Sequence, residues 1–111
     1  MGVLDTAKVH FNAQEMRRIE VPEWGEEDAP LVIFAKPFTL AEKQKLYKHA
    51  KSSELEVLVY TLILKALDSE GNKIFGLDDK HTLMNQVDPE VLTRVATEIH
   101  QTASVEDLGN S

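Results

Sequence analysis

The chain has 111 residues, which is the length of one ordinary domain. Its 12 basic and 19 acidic residues give a net charge of −7, which argues against a nucleic-acid partner because an acidic surface repels phosphate. The lack of cysteine excludes disulfide scaffolds, zinc–thiolate sites and thiol catalysis. No apolar run approaches the roughly 20 residues of a membrane-spanning helix, so no membrane partner is expected.

Two short strands are predicted after an N-terminal arm, residues 1–16, which shows no clean periodicity and is expected to be partly ordered. Residues 17–22 alternate in character, and residues 31–34 form an apolar run rich in β-branched side chains, as is typical of strands. Trp24 and the acidic run after it are expected to form a long loop between them. A lone hairpin is marginal in water, so we expect this one to pack on helices.

Two helices are predicted next, each with a clear start signal. Residues 39–42 have the spacing of a capping box, in which the Thr39 hydroxyl and the Glu42 carboxylate each accept a hydrogen bond from a backbone amide. Ser53 opens the second helix, which is expected to run to about Leu67. That helix is apolar on most sides, which predicts burial against several neighbours or cover by another subunit.

The remaining signals complete an α+β, mainly α fold, with an N-terminal β-hairpin packed on three to four helices. Asp78 is expected to cap a short helix, and Asp88 followed by Pro89 predicts the start of the last one. This last helix carries an apolar stripe formed by Val91, Leu92, Val95, Ala96 and Ile99. Residues 17–102 are expected to form one globular domain, and residues 103–111, which lack periodicity, a flexible tail.

The sequence carries no enzyme signature. It has neither a nucleophile elbow nor a glycine-rich phosphate loop, and its four histidines are scattered. Asp78, Asp79 and His81 form the one compact cluster, which is open to two interpretations: surface or capping residues, or a metal or acid–base site. We therefore expect a protein-binding module with no catalytic residue, no cofactor and no bound metal.

Two sets of residues are candidates for contact with other proteins. Partner binding is predicted for five apolar or aromatic residues, although each of them could equally be core: Trp24, Leu31, Ile33, Tyr47 and Tyr60. Self-association is predicted between an acidic run and lysines of the first predicted helix: Glu26, Glu27 and Asp28 with Lys45 and Lys48. Contact between unlike faces of identical chains builds an open helix unless the rotation closes. The alternative is that both are simply solvated faces.

The order of three features resembles the tail assembly chaperones of long-tailed bacteriophages and prophages. A strand enters residues 21–25, Val-Pro-Glu-Trp-Gly, and a second short strand ends before a proline. A pair of helices then ends in residues 67–75, from Leu-Asp-Ser-Glu-Gly to Ile-Phe. Finally, Asp78-Asp79 leads into a helix that ends near residue 100, followed by a polar tail. The resemblance covers most of the chain, from about Arg17 onward.

This resemblance implies a chaperone that binds and solubilises the tape-measure protein in the host bacterial cytoplasm and is absent from the mature virion. It also implies help in recruiting the tail-tube protein, mainly through a longer frameshifted form, and a homo-oligomer of the open-spiral kind. The alternative is another phage or bacterial interaction module, such as a head–tail joining component or a small adaptor. A structural component would stay in purified particles, whereas a chaperone would not.

Overall fold

A computed structural model describes residues 2–50 and 53–101 of the chain, so the predicted tail at 103–111 lies outside the described residues. The fold is α+β and mainly α, which confirms the predicted class. The elements follow in this order: α1 (Val3–Ala13), β1 (Arg17–Glu26), β2 (Ala29–Ala35), α2 (Leu40–Ala50), α3 (Glu54–Lys65), a short 3-10 helix (Leu77–Asp79), α4 (Lys80–Asn85) and α5 (Pro89–His100).

The hairpin is tighter than the sequence predicted. β1 and β2 pair antiparallel up to Glu26, which lies opposite Ala29, so that Glu27 and Asp28 alone make the turn. The prediction of a long loop is therefore wrong, and both strands are longer than expected. The acidic residues of this turn stand at the tip of a two-stranded ribbon, where strand pairing holds their backbone.

A bulge in β1 accommodates the residues that were predicted to be in a loop. The register shifts between Val21 and Glu26, so that the intervening residues have no regular partners on β2. Gly25 lies so close to the opposite strand that a Cβ built on it would be 2.4 Å from the Ala29 carbonyl oxygen. Glycine is therefore required there for the close approach of the two strands.

The predicted starts of α2 and α3 are confirmed. The backbone N–H of Thr39 donates to Glu42 Oε1 at 2.9 Å, and the N–H of Glu42 donates to Thr39 Oγ1 at 3.1 Å, which completes the capping box. At the start of α3, Ser53 Oγ accepts from the Glu56 N–H at 3.3 Å. Both helices therefore begin where local hydrogen bonding satisfies their first amides.

The last helix also begins as predicted, whereas the short helix before it does not. Asp88 Oδ1 accepts from the Glu90 N–H at 2.9 Å, and Pro89 occupies the first position of α5. Ahead of α4 the capping carboxylate belongs to Asp79, whose Oδ2 accepts from the Gly76 N–H at 2.8 Å. The expected cap at Asp78 is corrected accordingly, because the 3-10 turn starts one residue before it.

The chain after α3 pairs with the free edge of β2. α3 ends at Lys65, two residues earlier than predicted, and Leu67 exchanges two backbone hydrogen bonds of 2.8 Å with Phe34. The turn that follows reverses the chain at Gly71, whose φ of +86° favours glycine. The Ile74 N–H then donates to the Ala66 carbonyl at 3.1 Å, so this edge of the hairpin is partly covered.

α3 is the central element of the core, in contact with α2, α4 and α5, and α5 packs on β1. The five predicted stripe residues of α5 are all buried, as expected from their helical spacing. The side chains that are completely or nearly completely buried come from the hairpin and four helices, and the largest are Ile19, Ile33, Leu46, Leu62, Ile99, Val21 and Val95.

Candidate protein-binding surfaces

Helix α1 presents an apolar surface that its own chain does not cover. None of its 11 residues is buried, and Val3 and Leu4 are 84% and 79% exposed. At 100° per residue, four of its apolar side chains fall on one side of the helix: Val3, Leu4, Ala7 and Phe11. We call these four residues the α1 stripe. A helix this short is marginal in water, so packing against a partner would stabilise it.

The sequence interpretation missed α1 although a signal was present. Residues 4, 7 and 11 have i, i+3, i+7 spacing, and Gly2 precedes the helix without offering a side-chain cap. The weak start signal and the exposed Val9 on the opposite side obscured the periodicity. The backbone of the predicted arm is nonetheless helical from Val3 to Ala13.

Helix α2 carries the second exposed surface. Leu40 is 86% exposed and Tyr47, two turns further on, is 57% exposed on the same side of the helix. Three exposed lysines belong to the same helix: Lys43 and Lys48 lie on either side of the two apolar side chains, and Lys45 lies beyond Lys48, about 140° around the helix axis from Leu40. We call these five residues the lysine face. It combines apolar contact area with positive charge in a chain whose net charge is negative.

The third surface is the acidic tip, which consists of Glu26, Glu27 and Asp28 at the turn of the hairpin. All three side chains are exposed. The salt bridges found among the described residues use other carboxylates and leave both the acidic tip and the lysine face without an ion-pair partner. The two predicted self-association sets are therefore exposed and of opposite charge, and do not neutralise each other within one chain.

The predicted partner-binding residues separate into two groups. Ile33 is fully buried and Tyr60 is 8% exposed, so the prediction that they contact a partner is corrected: both belong to the core. Trp24 and Leu31 are half-buried against that core, and Tyr47 is exposed.

Core packing occupies the rings of both Trp24 and Tyr60. Trp24 meets Phe75 edge-to-face, with ring centroids 6.2 Å apart. Tyr60 stacks on His49 with a centroid distance of 5.2 Å, and Lys80 Nζ lies 5.3 Å from the Tyr60 ring centroid. These rings hold the elements together, and of the five residues Tyr47 is the one most available to a partner.

A buried lysine fixes the inner side of α2. Lys65 of α3 is 5% exposed, and its Nζ donates to Glu42 Oε1 at 2.8 Å and to the Pro37 carbonyl at 3.3 Å. The same ammonium lies 4.9 Å from the centroid of the Phe38 ring. Although burial opposes ionisation, the hydrogen bonds from Lys65 and Thr39 lower the pKa of Glu42. This ion pair anchors the first turn of α2 to α3, which turns the lysine face outward.

The end of α5 meets the start of α2 through an aromatic contact. The His100 imidazole stacks on Phe38 with centroids 5.0 Å apart, and its Nε2 is 2.7 Å from Thr61 Oγ1. The Thr61 hydroxyl donates its one proton to the Val57 carbonyl at 2.7 Å, so Nε2 of His100 must carry the shared proton. Burial, reinforced by the charge of Lys43, lowers the pKa of His100.

The cluster of Asp78, Asp79 and His81 makes local contacts. The Asp79 carboxylate caps the Gly76 N–H, and the ring Nδ1 of His81 lies 3.4 Å from the Asn85 amide nitrogen. Among residues 2–50 and 53–101, no group of three or more histidine or acidic side chains is placed to hold a metal ion. The local contacts favour the capping interpretation of this cluster.

The chain matches no protein-family model, and no curated protein and no solved structure is significantly similar to it. Within the described parts of the chain, no helix is long and apolar enough to cross a membrane.

Proposed function

We propose that this chain is a non-enzymatic tail assembly chaperone, which binds and solubilises a phage tape-measure protein in the host bacterial cytoplasm. In this role it also helps recruit tail-tube subunits and does not enter the mature virion. The observation that supports the proposal is the uncovered α1 stripe. A chaperone for a long apolar helical protein needs exposed apolar surface, and α1 buries none of its residues on its own chain.

The energetics of the α1 stripe suit a binding role. Covering a leucine, valine or phenylalanine side chain is worth about 1.5–3 kcal/mol each, and ordering a short helix costs part of that gain. One chain therefore binds weakly through α1. Many copies along one client would bind firmly, since each further contact forms at high effective concentration. This arithmetic favours an assembly of identical copies on a long partner.

Self-association between unlike faces would provide such an assembly. The acidic tip of one copy and the lysine face of the next are exposed and opposite in charge. Because they lie on different parts of the chain, their contact is heterologous and leaves one free face at each end. The result is an open array that can lengthen along the client.

Co-expression with a phage tape-measure protein tests the client. The soluble fraction of the tape-measure protein should rise when the chain is present and should fall again with Leu4→Ser, which interrupts the α1 stripe. Val9→Ser is the matched control, because Val9 is 63% exposed on the opposite side of the same helix. Equal solubility with both variants would contradict the role assigned to α1.

Two further measurements separate this function from its alternatives. Purified phage particles should lack the chain, whereas a head–tail joining component would remain in them. Sedimentation at low salt should show association that is abolished by Lys45→Glu with Lys48→Glu and restored when the acidic tip is also reversed. Association unaffected by these substitutions would rule out the contact between the acidic tip and the lysine face.

A further inference from the structure

Strand β1 is the free edge of the hairpin. Its inner side pairs with β2, and the far side of β2 is partly covered by the segment after α3, where Phe34 and Leu67 exchange two backbone hydrogen bonds of 2.8 Å. Among residues 2–50 and 53–101, no strand pairs with the outer side of β1. An uncovered strand edge is a place where a further strand can add to the sheet.

The register of the hairpin shows which backbone groups of β1 point outward. Arg18 lies opposite Phe34, whose N–H and C=O point away from β1 toward Leu67. In an antiparallel pair, opposite residues either exchange both hydrogen bonds or direct both sets of groups outward, so the N–H and C=O of Arg18 point to the free edge. Those of Glu20, two residues further on, do the same. The next residue of this alternation is Pro22, which has no N–H to donate.

The exposed side chains along this edge have opposite charges. Arg18 and Glu20 are each 55% exposed, and Arg18 Nη1 donates to Glu20 Oε2 at 2.7 Å. Their neighbours Ile19 and Val21 point to the opposite face of the hairpin and are buried in the core. Charged residues and proline generally protect an edge strand from pairing. Here the two charges are opposite and lie two positions apart, so one arrangement of two identical strands satisfies both.

Charge and proline together select one register for the antiparallel pairing of two β1 strands. Arg18 opposite Arg18 of the second copy, or Glu20 opposite Glu20, sets like charges directly across from each other, which is destabilising. The second of these registers also brings Arg18 opposite Pro22, which lacks the required N–H. The register between them places Arg18 opposite Glu20 and Ile19 opposite Ile19. In that register, Arg18 and Glu20 of both copies exchange both of their backbone hydrogen bonds.

We propose that the outer edge of β1 pairs with the same edge of a second copy, with Arg18 opposite Glu20 across a two-fold axis at Ile19. The interface is isologous, and the two hairpins form one four-stranded sheet in the order β2-β1-β1-β2, with the helices of both copies on one face. On the other face the charges alternate in sign, so each side chain keeps its partner within the chain and gains one across the interface. This contact does not rest on the proposed function.

Amide hydrogen exchange in the full chain, followed by NMR at two protein concentrations, tests the contact. At micromolar concentration the Arg18 and Glu20 amides lie at an open edge and should exchange fast, whereas the Ile19 and Val21 amides point to β2 and should exchange slowly. At millimolar concentration, exchange at Arg18 and Glu20 should slow by about fivefold or more, because dimers form by mass action. Exchange at Ile19 and Val21 should change much less.

Charge reversal assigns this protection to the proposed register. Arg18→Glu sets like charges opposite each other and should abolish the concentration-dependent protection, whereas Arg18→Glu combined with Glu20→Arg restores complementarity and should recover it. Lys36→Glu is the matched control, because it changes the net charge by the same amount at an exposed position outside β1. Lys45→Glu with Lys48→Glu should also leave the protection intact, which separates this contact from the one between the acidic tip and the lysine face.

Three results would overturn the proposal. Slow exchange of the Arg18 and Glu20 amides in dilute protein would show that the edge is covered within one chain. Exchange independent of concentration would show that the edges do not pair, and protection that survives Arg18→Glu would exclude this register. A failure of the tape-measure experiment would leave these exchange rates unchanged, so the two proposals are tested separately.

Discussion

The imidazole of His100 stacks on the ring of Phe38, with centroids 5.0 Å apart and 12° between the planes. This contact joins the end of α5 to the segment that enters α2. Two ammonium groups approach the same Phe38 ring, since Lys43 Nζ and Lys65 Nζ lie 5.6 and 4.9 Å from its centroid. The packing therefore favours neutral His100.

The stability of the fold should decrease as the pH falls below the ordinary pKa of histidine. Burial and the charge of Lys43 lower the pKa of His100 in the folded state, so the unfolded chain binds the proton more readily. His100 therefore does not reduce the stability of the fold above pH 6.5, the pKa of histidine in the unfolded chain. The fold loses stability as the pH falls from there toward the lower pKa of His100 in the folded state. Thermal unfolding between pH 7.5 and 5.5 measures the loss.

His100→Gln is the control for this pH dependence. Glutamine can still donate to Thr61 Oγ1 but does not titrate, so the variant should be less stable at pH 7.5 and should show a smaller change in Tm between the two pH values. An identical pH dependence in wild type and variant would assign the effect to other groups.

The effect of a Lys65 substitution on the free energy of unfolding should depend on whether the new side chain keeps the hydrocarbon stem of lysine. Lys65→Met preserves the packing under Phe38 and removes a buried charge whose partner, Glu42, is 41% exposed and can be hydrated, so the free energy of unfolding should change by about 1 kcal/mol or less. Lys65→Ala also removes the stem and should cost about 2–4 kcal/mol. Urea unfolding of both variants measures the difference. Equal losses would show that the ion pair, and not the packing, is the main contribution.

Arg94 should control the ionisation of Glu23. The Arg94 guanidinium, on α5, donates to both carboxylate oxygens of Glu23, on β1, at 2.8 and 2.9 Å. The two residues are 71 positions apart in the sequence. This pairing lowers the pKa of Glu23 to about 2. Its stabilising effect should be present above pH 4.5 and lost as the pH falls toward 2. An NMR titration of the Glu23 carboxylate should give the low value, and Arg94→Gln should return it toward 4.5. A pKa that does not respond to this substitution would mean that the pair is open in solution.

Substitution of Gly25 by alanine should disturb the hairpin. The added Cβ would lie 2.4 Å from the Ala29 carbonyl oxygen and 2.5 Å from the Leu31 nitrogen, both of which are backbone atoms that cannot move aside independently. We expect the free energy of unfolding to fall by roughly 1–3 kcal/mol. The fluorescence of Trp24 should also change, because the bulge positions its ring against Phe75. Gly2→Ala, at a position where a Cβ meets nothing within 4 Å, is the control. Equal stability of the two variants would contradict the close approach of the strands.

Much of the fold was predictable because the signals are local. The Thr39–Glu42 capping box and the Asp88-Pro89 start depend on residues within four positions of each other, so each motif predicts the same hydrogen bonds wherever it occurs. The stripe of α5 was predictable for a related reason, since a helix with a single apolar side has one way to face a core. The hairpin turn was not predictable, because the pairing of Glu26 with Ala29 depends on the strand register, which the bulge changes.

By itself, the amino-acid sequence determined the class of the fold, the starts of its main helices and the opposite charges of the hairpin turn and α2. Only the tertiary structure decided which apolar residues remain outside the core. Ile33 and Tyr60 are buried, whereas Leu40 and Tyr47 are exposed, although the four have similar hydrophobic character. Burial depends on which neighbours pack against a side chain, and those neighbours come from distant parts of the chain. The Phe38 ring is an example, since it contacts Lys65 of α3 and His100 of α5.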